Sequence, residues 1–120
     1  MVGYRERIER AIAPLLSRGF AITSALETPE NFGNTEILLA SSAIKLRFIS
    51  DRGQIFADVA RPSSIGWYDL SELLTTLGLR SGAGPWDVAE TAVQEFETNE
   101  ALIDQMLADP VRLSSLRSRR

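Results

Sequence analysis

Between residues 35 and 59 apolar and polar positions alternate as paired strands require. Ile44-Lys45-Leu46-Arg47-Phe48 puts apolar and charged side chains on opposite faces with the two-residue period of a strand. Ser50-Asp51-Arg52-Gly53 follows with turn chemistry, Gly53 being free to take a positive φ. A two-residue loop at Asp51-Arg52 sets Phe48 against Ile55, Leu46 against Ala57 and Ile44 against Val59. On the other face it sets Lys45 against Asp58 and Arg47 against Phe56, an ion pair and a cation over a ring. A loop at Ser41-Ser42 pairs Leu39 with Ile44, Ile37 with Leu46 and Glu36 with Arg47, although Ser-Ser is not a favoured two-residue turn and a wider loop would move that register. Both hairpins bury the same side of the middle strand, and a one-residue slip would turn that side into water. Ile37, Leu39, Ile44, Leu46, Phe48, Ile55 and Val59 are the predicted core. Glu36, Leu38, Lys45, Arg47, Phe56 and Asp58 fall on the opposite face.

The flanks add helices. Tyr4, Ile8, Ile12, Leu15 and Leu16 follow helical spacing, with a kink or a break expected at Pro14 and an end at Gly19. A first strand over residues 20–26 precedes a turn-rich loop over 27–34, in which Phe32 is expected to fold back as a plug. After the meander, residues 61–68 read as a crossover loop. Asp69 then stands three residues before Glu72, ahead of Leu70, Leu73, Leu74 and Leu77, a capping-box-like start to a helix that Gly78 stops. Pro85 opens the last helix, with Ala89, Ala92, Val93, Phe96, Ile103, Met106 and Leu107 on one face. That helix runs from 85 to about 108, or breaks near Thr98-Asn99. The prediction is one α+β domain over residues 1–120: an N-terminal helix, a four-stranded antiparallel meander sheet and two C-terminal helices packed on one sheet face, with 111–120 a frayed basic tail.

Composition narrows the chemistry. The chain has no cysteine and no histidine, so disulfides, thiolates, the usual zinc sites and histidine acid–base chemistry are excluded. No Gly-x-Ser-x-Gly elbow presents a serine, and the carboxylates Glu36 and Asp58 already have cross-strand partners in the predicted register. Gly82-Ala83-Gly84 before a helix lacks the third glycine and the lysine of a phosphate cradle. These absences predict a protein that is not an enzyme and holds no cofactor or metal. No apolar leader and no run of 18 apolar residues occurs, which predicts a soluble, cytoplasmic protein with no membrane contact.

Charge is unevenly placed. Residues 1–80 hold nine basic and nine acidic side chains, 81–111 hold seven acids and no base, and 112–120 hold four arginines, for a net charge of −3. A net acidic domain argues against nucleic acid, despite Lys45, Arg47, Arg52 and Arg61 lying near Phe56, Trp67 and Tyr68. The candidate surface is a protein interface: Glu36, Lys45, Arg47, Phe56 and Asp58 on the sheet, Trp67, Tyr68 and Trp86 as aromatic anchors at its border, and Asp87, Glu90, Glu97, Glu100 and Asp104 on an acidic helix able to steer a basic partner. The alternative is a small-ligand or nucleic-acid-binding domain using the Lys45, Arg47, Phe56 and Trp67 face. A third is a self-associating structural protein, with a homodimer as its simplest form.

Gly19-Phe20 entering a strand, the turn Asp51-Arg52-Gly53-Gln54, and Trp67-Tyr68-Asp69-Leu70 leading into a leucine-rich helix together span residues 19–78. This layout resembles small bacterial α+β proteins, among them immunity proteins that neutralise secreted polymorphic or contact-dependent toxins. The resemblance implies a cytoplasmic protein that occludes a cognate toxin domain, a basic one given the acidic surface. It transfers no functional residue.

Overall fold

The structure, a computed structural model, describes residues 4–28, 34–116 and 118–119. Helix α1 (Tyr4–Leu16) leads into strands β1 (Ala21–Thr28), β2 (Asn34–Ala40), β3 (Lys45–Asp51), β4 (Gln54–Ala60) and β5 (Trp67–Asp69). Helices α2 (Leu70–Thr76), α3 (Ala89–Leu107) and α4 (Pro110–Leu113) follow, and a two-residue strand β6 (Ser118–Arg119) ends the described chain. The sheet is antiparallel and its strands lie side by side in chain order. The α+β class is as expected, with β5, β6 and α4 added to the predicted elements.

All seven predicted core residues are buried, but both hairpins sit two residues from the predicted register. β2 and β3 pair Leu39 with Leu46 and Ile37 with Phe48 around a four-residue turn, 41–44. Ser41 explains the width: its Oγ accepts from Ala43 N and Ile44 N, both at 3.2 Å, and its own N–H donates to Ile44 O at 2.9 Å. A serine that satisfies the turn's backbone donors closes the hairpin at Ala40 and Lys45 instead. β3 and β4 pair Leu46 with Val59, Phe48 with Ala57 and Asp51 with Gln54, so Arg52-Gly53 is the loop. Arg52 (φ 53°) and Gly53 (φ 83°) both lie in the left-handed region, the geometry that matches a two-residue hairpin to the strand twist. A shift of two preserves parity, so the buried face is unchanged while every cross-strand partner differs.

One apolar cluster unites that face with the helices: Ile8, Ile12 and Leu15 of α1, Leu70, Leu73 and Leu74 of α2, and Ala92, Val93, Phe96, Ile103 and Met106 of α3. Ala60 and Trp67 are buried yet lie outside the cluster, on the other face. The helices therefore cover one side of the sheet. Phe20 meets Phe96 edge to face at 5.9 Å, which joins the entry to β1 with α3.

Local chemistry accounts for the helix ends. α1 carries through Pro14, which stands exposed in the last turn and removes a donor there without breaking the helix. Asp69 Oδ1 accepts from Ser71 N at 2.8 Å and Glu72 N at 3.2 Å to start α2. Gly78 (φ 75°) ends it, with Leu79 N bonded to Leu74 O and Gly78 N to Thr75 O, the paired closure that a left-handed residue permits. α3 begins at Ala89, not at Pro85. Trp86 instead forms an isolated antiparallel bridge, exchanging two 2.8 Å backbone hydrogen bonds with Ile55 at the edge of β4. The helix is unbroken at Asn99, whose side chain donates to Glu95 O within it. Past it, the expected frayed tail begins with α4, capped by Asp109, and continues to β6. The expectation for Phe32 lies outside the described residues.

Candidate functional site

Three cross-strand rows lie side by side on the open face of the sheet. The first runs Leu26, Glu36, Ile49, Phe56 across β1 to β4. The second runs Ser24, Leu38, Arg47, Asp58, Asp69 across β1 to β5. The third runs Ala40, Lys45, Ala60 across β2 to β4, and the register then sets Trp67 beside Ala60.

The second and third rows close upon themselves. Ala60 is small, and over it the Trp67 ring meets Lys45 Nζ at 4.4 Å and Arg47 Cζ at 4.6 Å. Lys45 Nζ also donates to Ser64 O at 2.6 Å, in the loop that enters β5. Arg47 donates to Asp58 Oδ2 through Nε at 3.0 Å and Nη2 at 2.7 Å. Asp58 is fully buried and Arg47 is 13% exposed, so this pair is a structural one. The predicted contacts Lys45 with Asp58, Arg47 with Phe56 and Arg47 with Glu36 do not form, because the displaced turns set Arg47 opposite Asp58 and Ile49 opposite both Phe56 and Glu36.

The aromatic anchors are placed differently from the expectation. Trp67 is on the open face but sealed under the two cations. Tyr68, its neighbour by alternation, turns to the core side and packs against the apolar cluster. Trp86 is buried in that cluster, its Nε1 donating to Glu95 Oε2 at 2.8 Å and its ring lying 4.3 Å from Arg80 Cζ. A stacking platform needs open rings and free cations. Here Trp67 is covered, and Lys45 and Arg47 are already bonded.

The acidic helix is largely neutralised by arginines that come from elsewhere in the chain. Arg18 donates to Glu97 Oε2 at 3.1 Å and Glu100 Oε1 at 2.8 Å, and Arg61 bonds Asp104. The guanidinium of Arg18 is held above its usual pKa, chiefly by the hydrogen bond to Glu100, against an opposing effect of burial and with the charges of Glu100 and Glu97 adding to the rise. Asp87 and Glu90 stay exposed, and with Arg7 and Arg10 they line a cleft of about 300 Å³ of balanced charge. Among the described residues no cluster of three or more carboxylates is placed to hold a metal ion, and no helix is long and apolar enough to cross a membrane.

The first row is what remains. Leu26 is 57% exposed, while Glu36, Ile49 and Phe56 are half-buried, as is the neighbouring Leu38. Leu26, Glu36 and Ile49, with Asn34 and Thr35, line a shallow depression of about 220 Å³. Glu36 makes no hydrogen bond or ion pair with any described residue. The sequence singled out Glu36 and Phe56 but missed Leu26 and Ile49. Alternation along the first and third strands was the signal that would have placed them on this face.

Comparison with known proteins adds no relative: no family model matches the chain, and no curated protein or solved structure matches it significantly.

Proposed function

We propose that this chain is a non-enzymatic protein-binding module whose contact surface is the unsealed part of the open sheet face: Leu26, Glu36, Leu38, Ile49 and Phe56. The observation that carries this is the contrast across one face. The Trp67 side saturates its own cations and carboxylate, whereas the Leu26 side leaves at the surface four apolar residues and a carboxylate with no partner among the described residues. Apolar area with an isolated charge is the composition of an interface core and its rim. An immunity-type inhibitor that occludes a toxin domain is one form such a module takes, and a basic toxin would meet Glu36 here in place of the acidic helix.

The test is affinity capture with the tagged whole chain, from the native host and against the product encoded beside it. The wild type and a Glu90→Lys variant retain a stoichiometric partner, and Leu38→Lys loses it. No stable partner, or a partner lost with Glu90→Lys and kept by Leu38→Lys, overturns the proposal.

A further inference from the structure

The two edges of the sheet are not alike. At one side β5 is paired by β6, and Trp86 bridges Ile55 of β4. At the other side β1, eight residues long, has no neighbour beyond it among the described residues. From Ala21 to Leu26 it carries no charge and no proline, the devices that commonly keep an edge strand from pairing. Its one interruption is a bulge between Ile22 and Ser24, where Thr23 Oγ1 donates to Leu38 O at 3.3 Å. From Ser24 to Thr28 the pairing with β2 is regular, so the outer side of β1 there offers a straight row of backbone donors and acceptors. The row Leu26, Glu36, Ile49, Phe56 starts at that edge.

We propose, resting on the protein-binding function above, that β1 takes up an extended segment of a partner protein as an added strand, and that this segment carries a lysine or arginine laid over Leu26 with its charge on Glu36. Strands lie about 4.8 Å apart, so Glu36 is about 9.6 Å from the backbone of an added strand. Only a long side chain meets a glutamate across that gap, and its aliphatic stem covers the exposed Leu26 on the way. A cation is selected because Glu36 is half-buried with no partner among the described residues. Lys45 on β3 shows the same reach, meeting Trp67 across β4, there over the small Ala60. A second copy of this chain does not supply the cation: residues 21–28 hold Glu27 and no base, and the nearby Arg18 is held by Glu97 and Glu100.

The test selects random decapeptides displayed on phage against the immobilised whole chain, then titrates the enriched peptides into isotope-labelled protein. Enriched sequences alternate apolar residues with lysine or arginine and slow the hydrogen exchange of amides within Ala21–Thr28. Their affinity falls about tenfold with Glu36→Gln. N-methylation of alternate peptide nitrogens abolishes binding in one frame and not in the other, as main-chain pairing requires. Enrichment of no peptide, of peptides without a basic residue, or of peptides that protect other amides overturns the proposal. So does protection of β1 that grows with protein concentration alone, which assigns the edge to a second copy. A host partner lost with Leu38→Lys, alongside a failed peptide selection, retains the protein-binding function and removes strand addition.

Discussion

Lys45 on β3 and Trp67 on β5 are in contact, Nζ to ring centre 4.4 Å, although a whole strand lies between them. Ala60 makes this contact feasible, since any larger side chain at that point of β4 stands where the indole and the ammonium meet. Ala60→Val, which strand propensity alone would favour, is expected to destabilise the fold by about 1–3 kcal/mol through overpacking. The midpoint of urea unfolding reads this, and an unchanged or raised midpoint refutes the proposed role of Ala60.

The buried pair of Arg47 and Asp58 makes a second expectation. Arg47→Ala leaves Asp58, which has no solvent exposure, without its cation, and costs about 3–5 kcal/mol. Replacing both, as Arg47→Met with Asp58→Leu, removes the uncompensated charge and is expected to cost less than Arg47→Ala alone. A double-mutant cycle by denaturant unfolding measures the difference; a double variant as unstable as the sum of the singles contradicts the account.

Arg52 occupies a left-handed conformation that a branched or long side chain tolerates poorly. Arg52→Asn gives the Asn-Gly pair that such a hairpin prefers and is expected to stabilise by about 0.5–1 kcal/mol. Gly53→Ala, at φ 83°, acts in the opposite direction by about 1 kcal/mol or more. Thermal unfolding of the two variants orders them on either side of the wild type.

Ser50 Oγ is buried on the core side of β3 with no hydrogen-bond partner among the described residues. Ser50→Ala removes that unmet polar group at little cost in volume, and a gain of about 1 kcal/mol is expected. A loss of stability of the same size would show that the hydroxyl is satisfied in solution.

Arg18 sets the pH behaviour of the contact between the end of α1 and α3. Its pKa is raised in the fold, so the stability it contributes is fully present below the ordinary guanidinium pKa and is lost only as pH climbs through the raised one. Between pH 7 and 10 the difference between wild type and Arg18→Ala is therefore flat. It is also small, no more than about 1 kcal/mol, because Arg18 is 43% exposed, and it shrinks with added salt.

How much of this was legible in the sequence depends on the range of the interaction. Alternation identified Ile37, Leu39, Ile44, Leu46, Phe48, Ile55 and Val59 as core without error, because parity along a strand survives any even shift. Partners across strands did not survive, since Ser41 and the Arg52-Gly53 pair moved each hairpin by two residues. That shift is what left Glu36 opposite Ile49 and with no cation among the described residues. The run of seven acids with no base looked like a charged face, but its neutralising partners, Arg18 and Arg61, come from the far side of the sequence. Trp86 followed a proline that reads as a helix start, and only its two hydrogen bonds to Ile55 reveal an antiparallel bridge.

The order of the strands has a consequence for how the chain acquires its structure. Each pairing from β1 to β5 joins neighbours in sequence, so these five strands need only short loop closures and are able to assemble progressively during synthesis, while β6 joins β5 only after the helices. The layer above them is not local: α1, made before the strands, packs against α3, which is complete only at Leu107. Until the ribosome has released that last stretch, the apolar side of the meander has half a cover. The interval between the last strand of the meander and the last turn of α3 is when this chain is most exposed to misassociation and most dependent on being shielded.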